Sequence, residues 1–253
     1  MMQYNAIGDG QPLMLVHGFG EDYRIWDEQV PVLAEKFRVI TPQLPGTGNT
    51  PAESSPTMES MADGLKEILD HEKIPRIILV GHSMGGYISL AFAEKYPQHL
   101  RALGLFHSTA LADNEQKKET RRKGIAFIRQ HGAEAFLQST TQNLFAEKNR
   151  ETMAASIKAI ARDNSYISDD TLVAFYEAMI ARPDRTAVLK NSAVPVLFIL
   201  GRYDQAISFE DTLKLVHLPE ITYIHILEAS GHMGMLEETR KANQYLKDFA
   251  EQV

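Results

Sequence analysis

Apolar residues fall along the chain in short dense runs, separated by longer stretches where they recur every three or four positions. The runs "PLMLV" (12–16), "FRVIT" (37–41), "RIILV" (76–80), "LRALGLF" (100–106), "VPVLFIL" (194–200) and "ITYIHIL" (221–227) are nearly continuous in hydrophobicity. They predict strands of a mostly parallel sheet covered on both faces. Segments 24–35, 57–71, 84–96 and 236–251 have helical spacing. Strand and helix therefore alternate, the pattern of an α/β fold.

The alternation lapses between 111 and 190, where helical spacing continues without a strand. "ETMAASIKAIARD" sets Met153, Ile157 and Ile160 on one face, and "TLVAFYEAMIARP" does the same with Leu172, Tyr176 and Met179. Ser168 is placed to cap the second of these helices, and Pro183 forbids its continuation past Arg182. About four helices set between two strands predict a cap over the C-terminal edge of the sheet. The expected organisation is a core of 1–110 and 191–253 with a helical cap inserted at 111–190.

Composition narrows the chemistry. A chain of 253 residues can bury a core without cross-links. The absence of cysteine removes disulfides, thiolate metal sites and cysteine nucleophiles. A formal charge of −7 argues against nucleic acid as a partner. The first twenty residues lack a basic start followed by a long apolar stretch, and no apolar run approaches ~18 residues. Neither a signal peptide nor a membrane span is expected, which predicts a cytoplasmic protein.

"VGHSMGGY" (80–87) follows the run "IILV" and opens a helical segment. Gly81, Ser83 and Gly85 form G-x-S-x-G, a strand-to-helix turn tight enough to demand glycine on both sides of the serine. Such a turn lifts the Ser83 hydroxyl above the sheet and sets it at a helix N-terminus, where the dipole favours a developing oxyanion. A serine hydroxyl needs a base, and the base needs an acid to hold it. Of nine histidines, His232 lies in a small-residue turn after the last strand run, and Asp204 follows "VPVLFIL". Both belong to the sheet edge of Ser83, in the chain order Ser, Asp, His expected for this turn. Asp113, after the strand ending at Phe106, is a substitute acid. His17 and His82 flank the site and read as structural. Two backbone N–H groups can serve an oxyanion: Met84, directly after the serine, and Phe19 in "LVHGFGEDY", where Gly18 and Gly20 allow close approach.

Taken jointly, "HGFG" (17–20), "QLPGTGNT" (43–50), "GHSMGG" (81–86), "GRYD" (201–204) and "SGHMGMLE" (230–237) resemble the α/β-hydrolase superfamily over essentially the whole chain. The resemblance implies an eight-stranded, mostly parallel sheet and a Ser-His-Asp hydrolase. Gln43 and Thr50 depart from the usual Asp-x-Pro-Gly-x-Gly-x-Ser loop, which puts the loop's hydrogen bonding in question. The expected activity is hydrolysis of a small-molecule carboxylic ester through an acyl-enzyme, with no cofactor and no metal. The Leu, Phe, Met and Tyr residues of the cap suggest a small-to-medium apolar acyl group. Carbon–carbon bond hydrolases and cofactor-free perhydrolases use the same triad, and some members of the fold are small-molecule receptors with slow or no turnover. Nothing in the sequence fixes the oligomeric state.

Overall fold

The computed structural model describes residues 1–253 and sets seven strands in one sheet. They are β1 (Tyr4–Ile7), β2 (Gln11–Val16), β3 (Phe37–Pro42), β4 (Ile77–His82), β5 (Leu100–Phe106), β6 (Val196–Gly201) and β7 (Thr222–Leu227). Their spatial order is β1-β3-β2-β4-β5-β6-β7; only β1 is antiparallel to its neighbour. The continuous apolar runs arise because each strand feeds two cores. Leu13 and Leu15 of β2 join Ile78, Val80, Leu197 and Ile199 on one face. Met14 and Val16 join Leu79, Leu103 and Phe198 on the other. Successive side chains point to opposite faces, so both sets are apolar.

The helices complete the two layers. In chain order they are α1 (Val30–Leu33), α2 (Met58–Glu72), α3 (Met84–Lys95), α4 (Glu115–His131), α5 (Ala133–Thr140), α6 (Ala154–Asp163), α7 (Asp169–Ala181), α8 (Thr186–Lys190), α9 (Phe209–Leu213), α10 (Gly234–Glu237) and α11 (Thr239–Gln252). α2 and α3 cover the face of Met14, while α1 and α11 cover the face of Leu13. No helix is long and apolar enough to cross a membrane.

Several elements differ from the sequence reading. The sheet has seven strands where the resemblance implies eight. β1 is its outer edge, and Gln3 just before it is engaged by the 43–50 loop, receiving the Gln43 N–H at 2.8 Å and donating to Thr50 Oγ1 at 2.9 Å. β1 itself escaped the reading because "YNAI" is a half-exposed edge with no apolar run. The expected helix 24–35 is a 3₁₀ turn, Tyr23–Trp26, followed by the single turn α1. Pro31 lies in the first turn of α1, where its missing N–H does no harm; mid-helix it would break the ladder. The C-terminal helix is interrupted at Glu238, whose carboxylate instead accepts from the Ala229 N–H at 2.7 Å and the Ser230 hydroxyl at 2.9 Å.

Between β5 and β6 lie five helices, α4 to α8. α7 starts at the Ser168 cap, whose hydroxyl accepts the Thr171 N–H at 3.2 Å, and stops two residues before Pro183. α4, α5 and α7 share a small core of their own built on Ile125, Ile128, Phe136, Leu137 and Leu172. The chain passes from β2 to β3 on one side, while β4 pairs on the other side of β2. The loops after β2 and β4 therefore separate at the C-terminal edge, where open α/β sheets form their binding crevice.

Candidate active site

Ser83 sits at the turn from β4 into α3 with φ 51° and ψ −116°, an uncommon conformation for a residue with a side chain. The neighbours enforce it. A Cβ on Gly81 would lie 2.2 Å from the Gly85 carbonyl oxygen, and one on Gly85 would lie 2.4 Å from that of Val16. The Ser83 N–H is tied to the Phe106 carbonyl at 3.0 Å, and Ser108 Oγ donates to the Ser83 carbonyl at 2.8 Å. Backbone strain of this kind costs about 1–3 kcal/mol and persists only where surroundings over-determine it. The hydroxyl is left facing a cavity.

His232 and Asp204 arrive from the loops after β7 and β6. His232 Nδ1 is 2.8 Å from Asp204 Oδ2, and both side chains are almost fully buried. The other carboxylate oxygen accepts the N–H groups of Ala206 (2.8 Å) and Ile207 (2.9 Å), so the carboxylate cannot turn. A carboxylate at Nδ1 puts the imidazole proton there and leaves Nε2 free to take another. Burial alone would raise the Asp204 carboxyl, but the His232 and His107 imidazoles outweigh it and hold the group far below the usual carboxylate range. Ser83, Asp204 and His232 all line one cavity. No hydrogen bond joins Ser83 Oγ to His232; such contacts tighten when a substrate is in place.

His107 is a component that the sequence did not announce. It follows β5 with φ 47°, fully buried, its Nδ1 3.3 Å from Asp204 Oδ2 but without the alignment of a hydrogen bond. Burial pushes its pKa down to about 4, so near neutrality the ring is uncharged. Ligand atoms of His107, Asp204 and His232 lie within 4.8 Å of one another. A cation there would have to displace the His232 contact on Asp204 Oδ2, because Oδ1 already accepts two backbone bonds.

The N–H groups of Phe19 and Met84 have no acceptor in the protein, whereas the Gly18 and Ser83 N–H groups beside them are engaged. Gly20 supplies the positive φ of 70° that bends this loop. Its base is fixed by His17, which receives the Leu44 N–H on Nε2 at 3.2 Å and has Nδ1 3.0 Å from the Gly18 carbonyl. Burial lowers the His17 pKa, in keeping with a neutral ring that donates once and accepts once. Gln43 closes its own loop: its side-chain oxygen accepts the Asn49 N–H at 2.6 Å, and a Cβ on Gly48 would strike it.

The cavity has a volume of about 740 Å³ and a mixed wall. Phe19, Phe136, Tyr176 and Met179 belong to its apolar part, with Phe19 and Tyr176 stacked at 4.2 Å between ring centres. Asp113, Arg121 and Arg182 line it too, the Arg121 guanidinium 5.7 Å from the centre of the Tyr176 ring. Arg121 Nε donates to Asp113 Oδ2 at 2.5 Å, and Arg182 Nη2 lies 2.9 Å from Asp113 Oδ1. Burial would raise the Asp113 carboxyl, but these two guanidinium groups hold it low. Asp113 is thus engaged by arginines, whereas the partner of His232 is Asp204. Two arginines on one carboxylate make this cluster net positive, and Arg121 Nη1 has no partner, while Glu210 and Asp211 bring negative charge elsewhere in the lining. This departs from a purely apolar pocket. Of the aromatics between β5 and β6, Phe145 and Phe175 do not reach the cavity; each is packed into one of the two sheet cores.

Comparison with known proteins gives the same frame. The curated 2-hydroxy-6-oxo-2,4-heptadienoate hydrolase of Pseudomonas putida is 28% identical, over 96% of this chain and 90% of that protein. The malate-bound structure of a thermophilic esterase from Thermogutta terrifontis superposes with a TM-score of 0.94 at 28% identity, covering 99% of this chain and 93% of that one. An enol-lactonase structure from Burkholderia xenovorans has the same fold, with a TM-score of 0.90 at 22% identity over 99% of this chain and 96% of that one. The family described as α/β hydrolase fold matches residues 11–239, and the chain belongs to it.

Proposed function

We propose that the protein hydrolyses small carboxylic esters through an acyl-enzyme formed on Ser83. The observation that carries this is the coincidence of the strained serine and the His232–Asp204 pair at one cavity, with unfilled backbone N–H groups at Phe19 in its lining and at Met84 directly after the serine. Ser83 Oγ attacks the ester carbonyl while His232 Nε2 takes its proton. The negative charge moves to the carbonyl oxygen, where Phe19 N–H and Met84 N–H stabilise it; each such donor is worth roughly 2.7–4 kcal/mol. His232 returns the proton to the leaving alkoxide, Asp204 balancing the imidazolium in between. Water then repeats the sequence on the acyl-enzyme and frees the acid. α4 to α8 serve as a cap whose side chains select the acyl group. The Thermogutta terrifontis esterase, similar in sequence and fold, supports this reading.

A second reading has its own observation. The partner-free Nη1 of Arg121 and the net positive Asp113–Arg121–Arg182 cluster suit an anionic group, and the Pseudomonas putida relative is named for a dienoate. In that case the bond cleaved is carbon–carbon, beside a ketone carbonyl held by the same N–H pair. One experiment separates the two: kcat/KM for a nitrophenyl ester series and for a 2-hydroxy-6-oxo-dienoate, on wild type and Ser83→Ala. We expect esters to be turned over better and Ser83→Ala to abolish turnover. Faster cleavage of the dienoate would give the second reading precedence. Tight binding without turnover of either would point to a receptor.

A further inference from the structure

The chemistry proposed for Ser83 makes no use of His82, yet this ring is among the most engaged in the molecule. It is buried, with Nδ1 2.6 Å from Glu21 Oε1 and Nε2 3.0 Å from the carbonyl oxygen of His232. Glu21 is equally buried and lies just past the "HGFG" turn. The same Oε1 accepts the Gly18 N–H at 3.0 Å, one residue before Phe19. Three loops meet at this ring: the one after β2, the turn after β4 that holds Ser83, and the one after β7 that holds His232.

We propose that His82 and Glu21 are a positioning pair for the acyl-transfer site: His82 donates one ring N–H to Glu21 and the other to the His232 carbonyl, fastening the loop that offers the Phe19 N–H to the loop that carries the base. The proton count follows from the acceptors. A carbonyl oxygen only accepts, so Nε2 must carry hydrogen. Nδ1 faces a carboxylate oxygen that already takes the Gly18 N–H and needs a compensating charge in the interior. Glu21 Oε2 has no partner in the protein, so His82 is the cation that Glu21 has. Burial opposes that charge on the ring, but the Glu21 carboxylate outweighs it and the His82 pKa is raised. His17, His107, Asp204 and His232 are the other ionisable groups around the ring, from the loops after β2, β5, β6 and β7. The trimming of either end leaves Ser83 in its turn but lets two elements of the site drift relative to one another.

This inference rests on the acyl-transfer reading, and the test keeps the two apart. His82→Gln places an amide N–H near the Nε2 position and keeps the His232 end. His82→Asn places one near Nδ1 and keeps the Glu21 end. Glu21→Gln keeps an acceptor for Gly18 and removes the charge. In folded protein, checked by melting temperature and near-UV circular dichroism, each should lower kcat about 10- to 100-fold with KM little changed, because small misplacement of catalytic groups costs up to about 100-fold. His82→Ala, losing both ends, should fall furthest. In wild-type protein, ¹⁵N-edited spectra should show a histidine ring with both nitrogens protonated at neutral pH, lost in His82→Gln. Wild-type kcat in all the folded variants, or a His82 ring with one bare nitrogen, overturns the pair. Should Ser83→Ala retain turnover, the acyl-transfer reading fails and the pair with it. If Ser83→Ala is inactive while the His82 variants are not, only the pair fails.

Discussion

At the strand ends, Ser83 is flanked by Gly81 and Gly85, whose replacement would drive a Cβ into backbone oxygen. Across the cavity, Phe136, Tyr176 and Met179 are side chains of helices that could exchange size and shape and remain helical. The first region is specified by backbone geometry, the second by side-chain volume. Strain, close approach and a fixed proton acceptor tolerate almost no substitution. A wall of an apolar pocket tolerates many, each with a different ligand preference. The same contrast separates Asp204 from Asp113: one carboxylate is aimed at an imidazole, the other is enclosed by arginines of α4 and of the turn after α7.

The largest effect should come from exchanging those two acids. Asp204→Asn should leave the fold intact, since the side-chain oxygen can still accept from Ala206 and Ile207. The amide offers His232 the wrong partner, and kcat should fall by about 10⁴-fold, as in related triads. Asp113→Asn should lose much less activity and should instead loosen Arg121 and Arg182. Steady-state kinetics on both variants decides it. Near-full activity in Asp204→Asn together with collapse in Asp113→Asn would reverse the assignment.

This asymmetry also explains what could be read before the structure. G-x-S-x-G and "HGFG" were legible because only glycine satisfies their backbone geometry, so chemistry left a mark in residue type. The positions of Asp204 and His232 were legible because each directly follows a strong strand run. Six of the strands were visible for a related reason: burial on both faces makes them continuously apolar. β1 was not, because an edge strand with exposed side chains has no such signature. The sheet has seven strands and not the eight that the resemblance implied. Pro31 within 24–35 is the sequence signal for the short α1, since a proline is accommodated only in a first helical turn. His107, Glu21 and Arg121 were out of reach for a different reason. Their partners lie 97, 61 and 8 positions away (204 − 107, 82 − 21, 121 − 113), and only the fold joins even the nearest of these across a turn. The apolar stripes between β5 and β6 could not be sorted either, since Phe136 and Phe175 look alike in sequence while one lines the cavity and the other fills a sheet core.

A second test uses pH to set the two regions against each other. His107 has a pKa of about 4 in the folded protein and about 6.5 in an unfolded chain. As pH falls below 6.5, the unfolded chain takes up a proton that the folded protein refuses until about pH 4. Stability should therefore fall with pH across that window, at about 1.4 kcal/mol per unit of pKa difference and roughly 3 kcal/mol in full. Asp113 in the cavity wall is held low, so its contribution is lost only as pH drops below the ordinary carboxylate range. Urea unfolding at several pH values between 6.5 and 4 should show a shallower slope in His107→Asn than in wild type. The substitution also leaves a void beside Gly201 and Gly234, which lowers stability at every pH, so the slope and not the offset is the readout. Equal slopes would mean that the ring is not kept neutral by burial.

The smallest effect, and the one that most sharpens the contrast, concerns four residues between β5 and β6. Phe136 and Met179 line the cavity, whereas Phe145 and Phe175 are at most 1% exposed and belong to the sheet cores. Enlarging the pocket admits longer acyl chains, and each methylene that fits an apolar wall is worth about 1–3 kcal/mol, or 10- to 200-fold in kcat/KM. Phe136→Ala and Met179→Ala should therefore move the optimum of an ester series toward longer acyl groups. Met179 also packs into the larger core, so its variant should lose some stability as well. Phe145→Ala and Phe175→Ala should lower the unfolding midpoint and leave the ranking of esters as it was. Arg121→Met adds the polar half of the wall: it should weaken acids and acid-bearing esters selectively while sparing neutral ones. If the cavity-facing and core pairs behave alike, selection does not lie in α5 and α7, and the loops around Phe19 and Gln43 become the place where substrate is chosen.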